Sequence, residues 1–340
     1  MAWRRVGAKA RPEEIERAWR RSLRAAIAED WPAAESWLER IVEADSRDLD
    51  ALHALARLYR QRGSVGRSLR MHQNLLLRSD LSRPARREAL LELARDFEAG
   101  GYKERAAAAY EEILAAQPRN ADVLERLVSL LHDLGEYSRA LVLARRLRRR
   151  DRRAGERHEV AIRLSQAQSL HEVGDHDGAR RSIKRCLRRD GRCGLAWTLL
   201  GELEVERGRT AKALDAWKRG AATDETVATA LYPKIAASYA ALGKAEDFDP
   251  YLLKVIEDRP TDPAVRIALA RARAGRGDKT AAIEALARAI EIDPEDPNSR
   301  GELGRQLIAS GQDAEALKAY ADLLDALERG SLSLQQEAKA

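Results

Sequence analysis

The side chains best suited to chemistry in this 340-residue chain are six histidines, two cysteines and a large set of arginines. Metal binding asks for histidines, thiolates or carboxylates at ligand spacing. His53, His72, His132, His158, His171 and His176 are scattered, with no His-x3-His pair and no acidic partner at ligand spacing, so no metal centre is expected. Cys186 and Cys193 are too few for a disulfide framework or a four-thiolate zinc site within one chain, and they fit a reducing compartment. Acyl transfer, phosphoryl transfer and hydride transfer have local signatures: a Gly-x-Ser-x-Gly elbow, a phosphate loop, a dinucleotide fingerprint. None occurs in the sequence, so no catalytic residue, no cofactor and no enzymatic activity are expected.

Lys and Arg number 61 against 55 Asp and Glu, a formal charge of +6, so most charge should pair along solvated helix faces. Two clusters stand out: Arg145, Arg146, Arg148, Arg149, Arg150, Arg152 and Arg153, then Arg180, Arg181, Lys184, Arg185, Arg188 and Arg189. Such stripes neutralise phosphates of nucleic acid or anionic lipid. Aromatic residues are only 5% of the chain and none interleaves the clusters, so sequence-specific binding of single strands is not expected.

The elements that must position these side chains are helices. Ala, Leu, Arg and Glu dominate a composition that is 44% hydrophobic. Turn glycines recur at Gly63, Gly101, Gly135, Gly174, Gly208, Gly243, Gly277 and Gly311, with spacings of 38, 34, 39, 34, 35, 34 and 34. Five residues after the glycine a small residue returns, as Ser68, Ala106, Ala140, Ala179, Ala213, Ala282 and Ala316, with Phe248 as the exception. Seven before it stand Ala56, Ala94, Val128, Ala167, Gly201, Ala236, Ala270 and Gly304. Two antiparallel helices approach closely only where side chains are small. Pro118, Pro260 and Pro294, seventeen residues beyond their glycines, end second helices.

These offsets match the tetratricopeptide pattern. The resemblance implies an all-α, right-handed superhelical solenoid of about nine helix-turn-helix repeats, with first helices lining a concave groove. The array is expected over 49–330, preceded by a degenerate first repeat at 15–48 with Trp31-Pro32 at its turn, a flexible basic N-terminus at 1–14 and a disordered tail at 331–340. Repeat phase puts Asp50, His53, Arg57, Arg60, Arg95, Glu98, Glu125, His132, Gln168, His171, Glu202 and Arg271 toward the groove. Arg57, Arg60 and Arg95 fall at adjacent groove positions. They either clamp carboxylates of an acidic peptide bidentately or stand as solvated face residues. The expected partner-binding set is Arg57, Arg60, Arg70, His72, Gln73, Arg95 and His132.

One stretch resembles a particular group. Leu58-Tyr-Arg60-Gln-Arg-Gly63, Arg67-Ser-Leu-Arg70-Met-His72-Gln73-Asn-Leu and Leu93-Ala-Arg95-Asp96-Phe97-Glu-Ala-Gly-Gly101-Tyr-Lys-Glu-Arg105-Ala106 are similar to the lipopolysaccharide assembly protein B family, a bacterial tetratricopeptide group, with His72 replacing the usual aromatic. The resemblance implies a noncatalytic adaptor that binds a membrane protease and presents a lipid A biosynthetic enzyme for degradation. Members carry an N-terminal membrane helix and a C-terminal rubredoxin-like four-cysteine knuckle, and neither pattern is read in this sequence. No signal peptide follows the basic start, and no stretch reaches the roughly 18 apolar residues of a membrane helix. The chain is therefore expected to be soluble and cytoplasmic, at most peripheral to the inner membrane, and to bind protein rather than nucleic acid.

Overall fold

The computed structural model describes residues 11–337, with side chains through 329. Among them eighteen α-helices pair into nine hairpins and no strand occurs. The hairpins are α1 (Pro12–Ile27) with α2 (Trp31–Ala44), α3 (Leu49–Gln61) with α4 (Val65–Leu76), α5 (Arg83–Ala99) with α6 (Lys103–Ala116), and α7 (Ala121–Asp133) with α8 (Tyr137–Arg148). Next come α9 (Arg152–Glu172) with α10 (His176–Leu187), α11 (Gly194–Glu206) with α12 (Thr210–Thr223), and α13 (Glu225–Ala241) with α14 (Phe248–Asp258). The last are α15 (Pro263–Gly275) with α16 (Lys279–Ile292) and α17 (Pro297–Ala309) with α18 (Asp313–Glu337).

Each of the eight turn glycines has φ between 67° and 88°. This left-handed conformation is nearly free for glycine and lets the chain reverse in two or three residues. The small residues five positions later are almost wholly enclosed, from Ser68 and Ala106 at 0% exposure to Ala316 at 1%. A side chain added at Gly201 would run into the Trp217 indole, and one at Gly304 into the Tyr320 ring. Close helix approach therefore requires the small residues that repeat in phase. The prolines lie just past α6, α14 and α16, as expected.

The first hairpin departs from this rule. Its turn uses Glu29 at φ 56°, and Trp31-Pro32 open α2 instead of forming the turn. Proline is preorganised for a first helical turn, which explains the shift. The left-handed conformation costs a non-glycine residue about 1–2 kcal/mol. Glu29→Gly is therefore expected to slow hydrogen exchange of α1 and α2 amides about fivefold, equivalent to about 1 kcal/mol; unchanged exchange would mean that Glu29 is unstrained.

The chain divides into two compact units, residues up to Ile162 and residues from Arg163 onward, with the cut inside α9. In the first, Leu38, Ile41, Leu55 and Tyr59 form one buried cluster, and Tyr110, Leu124, Leu127, Leu131 and Leu147 anchor a larger one. In the second, Trp217, Leu231, Tyr232, Ile235, Leu252 and Leu286 form the main core. Phe248 is buried against Tyr239 and Tyr251, at ring separations of 5.9 and 6.4 Å, behind a short 3-10 turn at Ala245–Asp247.

At the ends, α1 begins at Pro12, inside the segment expected to be flexible, and α18 runs to Glu337, past the expected end of the array at 330. Helix continues there because no proline interrupts the sequence after Asp313. Residues 1–10 and 338–340 lie outside the described residues.

Candidate functional site

In the first unit, α5 places Glu92 and Asp96 one helical turn apart against α3 and α4, both within 1% of full burial. Glu92 accepts hydrogen bonds from Arg57 at 2.9 Å, Arg60 at 2.9 Å and Arg95 at 2.8 Å. Asp96 accepts from Arg60 at 2.7 Å, the Ser68 hydroxyl at 2.6 Å and His72 Nδ1 at 2.6 Å. His72 Nε2 lies 3.1 Å from His53 Nδ1, and the two imidazoles stack with centroids 5.2 Å apart. Burial pushes the Glu92 carboxyl up, but hydrogen bonds from Arg57 and Arg60 outweigh it and bring it from 4.5 to about 2. The Arg60 guanidinium is pushed up: burial opposes, but Glu92 and Asp96 prevail. Burial, then neighbouring His72, lowers His53, disfavouring its charged form.

Four of the expected partner-binding residues thus converge, and the carboxylates facing them come from the chain itself. His72 is interior and Arg60 mostly so, whereas Arg57 and Arg95 remain partly at the surface, with side-chain exposures of 46% and 30%, and Arg95 also reaches Asp122. His53, expected to face the groove, is 3% exposed because it stacks on His72. Arg70 and Gln73 stand exposed on α4, and His132 sits half-buried on α7 beside Tyr137, so these three do not join the cluster.

Glu92 and Asp96 were not among the expected site residues, yet a repeat-phase signal marks Glu92. It stands nine residues before its glycine and pairs with Arg57, six before the preceding one. In the second unit Glu302 and Arg271 hold the same two positions and pair at 2.7 Å, and Glu202 pairs with Lys234 at those positions with charges exchanged. Glu302 also accepts from Arg305 and Gln306; burial raises its carboxyl, but Arg271 and Gln306 bring it down. Three pairs of successive first helices, α3 with α5, α11 with α13 and α15 with α17, are therefore joined by an ion pair at the same repeat phase.

Between α13 and α15 the same positions are Ala237 and Ala268, and no such pair forms. A cavity of about 280 Å³ opens there, lined mainly by Tyr232, Pro233, Ala236, Phe248, Ile267 and Ala268, with Arg271 and Arg276 at its rim. The lining is apolar, and the rim arginines pair with Glu302 and Asp249. Such a recess takes one hydrophobic side chain of a bound segment and presents guanidinium edges to its backbone or to a neighbouring carboxylate.

The arginine clusters are partly neutralised. Arg146 donates to the Pro118 carbonyl, Arg148 to Glu159 and Arg152 to Glu156, while Arg180 pairs with Glu204 at 2.6 Å. The expectation that no histidine has an acidic partner at ligand spacing needs correction: Glu206, brought in from the following hairpin, lies against both His171 and His176. Sequence spacing does not register such a contact because α11 returns beside α10 some thirty residues later.

A tetratricopeptide-repeat family profile matches residues 91–155 and 164–226, and a bacterial transcriptional activator domain profile matches 263–339. Lipopolysaccharide assembly protein B of Escherichia coli K12 is 24% identical over 227 residues, covering 66% of this chain and 58% of that protein. The chain thus spans less than two thirds of the relative's length. Among solved structures, MamA from Desulfovibrio magneticus RS-1 covers 50% of the chain and 96% of its own, at 16% identity and TM-score 0.34. A tetratricopeptide repeat protein from Parabacteroides merdae covers 87% and 99%, at 14% identity and TM-score 0.34.

Proposed function

We propose, for a chain that is a tetratricopeptide-repeat protein, the role of a noncatalytic scaffold that holds extended segments or helices of other proteins. The observation that carries this reading is the apolar cavity between α13, α14 and α15, where alanines stand at the two positions of the ion pair and a recess lies open. A ligand segment supplies a hydrophobic side chain to Ala236, Phe248 and Ala268, with acidic neighbours toward Arg271 and Arg276. In the first unit, the partly exposed Arg57 and Arg95, held from inside by Glu92, and separately Arg70 and Gln73 on α4, offer further polar contacts.

Resemblance to lipopolysaccharide assembly protein B supports a finer reading: an adaptor in lipopolysaccharide synthesis that presents a lipid A biosynthetic enzyme to a membrane protease, working at the cytoplasmic side of the inner membrane. No described helix is long and apolar enough to cross a membrane.

The test is affinity capture by the tagged chain from nuclease-treated native extract at moderate salt, comparing the wild type with Ala272→Trp, which fills the cavity mouth. A central hydrophobic contact contributes at least about 2 kcal/mol to binding. Recovery of the specific partner is therefore expected to fall more than tenfold with Ala272→Trp and less when Arg57, Arg70, Gln73 and Arg95 are replaced by Ala together. Equal recovery by all three chains sinks the groove assignment, and binding that vanishes with nuclease and steeply with salt points instead to polyanion binding through the arginine clusters.

A further inference from the structure

We propose that His171, His176 and Glu206 form a three-ligand zinc site at the junction of α9, α10 and α11 in the second unit. His171 lies in the last turn of α9, His176 opens α10, and Gly174 between them has φ 80°, so the chain folds back and sets both imidazoles on one side. Their rings are 5.4 Å apart, tilted by 57°. Glu206, the last residue of α11, reaches the pair from the next hairpin: Oε1 lies 3.3 Å from His171 Nε2, and Oε2 lies 3.6 Å from His176 Nδ1. One donor atom from each of the three residues falls within 4.8 Å of the other two.

Zinc takes imidazole nitrogen and carboxylate oxygen at about 2.0–2.2 Å, which sets donors about 3.4 Å apart in a tetrahedral site. Each imidazole nitrogen already lies near that separation from one oxygen of the Glu206 carboxylate, His171 from Oε1 and His176 from Oε2, so a small rotation of the carboxylate brings one oxygen to both. His176 Nδ1 is buried and has no hydrogen-bond partner, and 3.6 Å is beyond hydrogen-bond range, so this nitrogen is aimed at the carboxylate without being satisfied by it. A cation between the three atoms satisfies it. The frame is held independently: Arg207, next to Glu206, pairs with Asp177, next to His176, at 2.6 Å. That pair fixes the end of α11 against the start of α10 and neutralises the one arginine adjacent to the ligands. The ligand set leaves a fourth position open to water or to a group from a partner, and the bound ion ties two successive hairpins together.

The experiment is zinc titration of the full-length, tag-free chain against a chromophoric chelator, with melting followed by circular dichroism with zinc and with EDTA. The wild type is expected to take up one equivalent that His171→Ala, His176→Ala and Glu206→Gln each weaken at least tenfold, while His158→Gln binds as the wild type does. Zinc is expected to raise the Tm of the wild type and of His158→Gln only. Glu206→Gln, a near-isosteric change at a half-exposed position, keeps the test decisive if a histidine variant fails to fold. Wild-type uptake no greater than that of the three ligand variants overturns the proposal, as does a wild-type Tm that zinc leaves unchanged.

Discussion

Replacing Asp96 by alanine is expected to destabilise the first unit by about 3–5 kcal/mol, the cost of leaving a buried charge without its partner. Asp96 is fully enclosed and holds three groups at once: Arg60, the Ser68 hydroxyl and His72. Its removal leaves the His72 imidazole, 1% exposed, and the Ser68 hydroxyl, 0% exposed, unsatisfied in the interior, and takes one of two carboxylates from Arg60. Asp96→Asn retains an acceptor oxygen for one of these groups and should lose less. The readout is hydrogen exchange of amides in α3 to α6, because tryptophans occur in both units and fluorescence does not separate them. Protection in α3 to α6 should fall by two orders of magnitude or more with Asp96→Ala, while α15 to α18 serve as the internal reference. A change below about 1 kcal/mol, the size of an ordinary surface effect, would mean that the network is solvated and not structural.

The second large effect is acid sensitivity. Glu92 titrates at about 2 in the fold against an ordinary 4.5. A depressed carboxyl stabilises the fold at pH above the unfolded value, and that stability is lost as pH falls through the folded value. At 1.36 kcal/mol per unit, Glu92 contributes about 3 kcal/mol above about pH 5, and the contribution disappears progressively down to about pH 2. The wild-type first unit should therefore weaken steeply over this interval. Glu92→Gln should start less stable at pH 7 and show a flatter dependence. Parallel pH profiles for the two chains, measured by exchange of α3 to α6 amides, would show that Arg57, Arg60 and Arg95 do not hold the carboxylate ionised.

The sequence by itself determined the repeat. Left-handed turns need glycine and close helix contacts need small residues, and both requirements are local, so they recur at fixed offsets that can be read from a single chain. The eight positive-φ glycines and the enclosed small residues after seven of them follow from that rule. Where another residue meets the same local need at a higher conformational cost, as Glu29 does in the first hairpin, the rule is blind.

Tertiary structure decided what the groove residues do. Arg57, Arg60 and Arg95 have the residue type and phase of a carboxylate clamp, but whether the carboxylate belongs to a peptide or to the chain depends on which side chain the next first helix brings opposite, and α5 brings Glu92 and Asp96. The meeting of His171 and His176 with Glu206, and the recess left by Ala236, Phe248 and Ala268, likewise depend on contacts between residues twelve to thirty-five positions apart. Such contacts arise from the rotation of one hairpin on the next, which side-chain packing sets and no local propensity encodes.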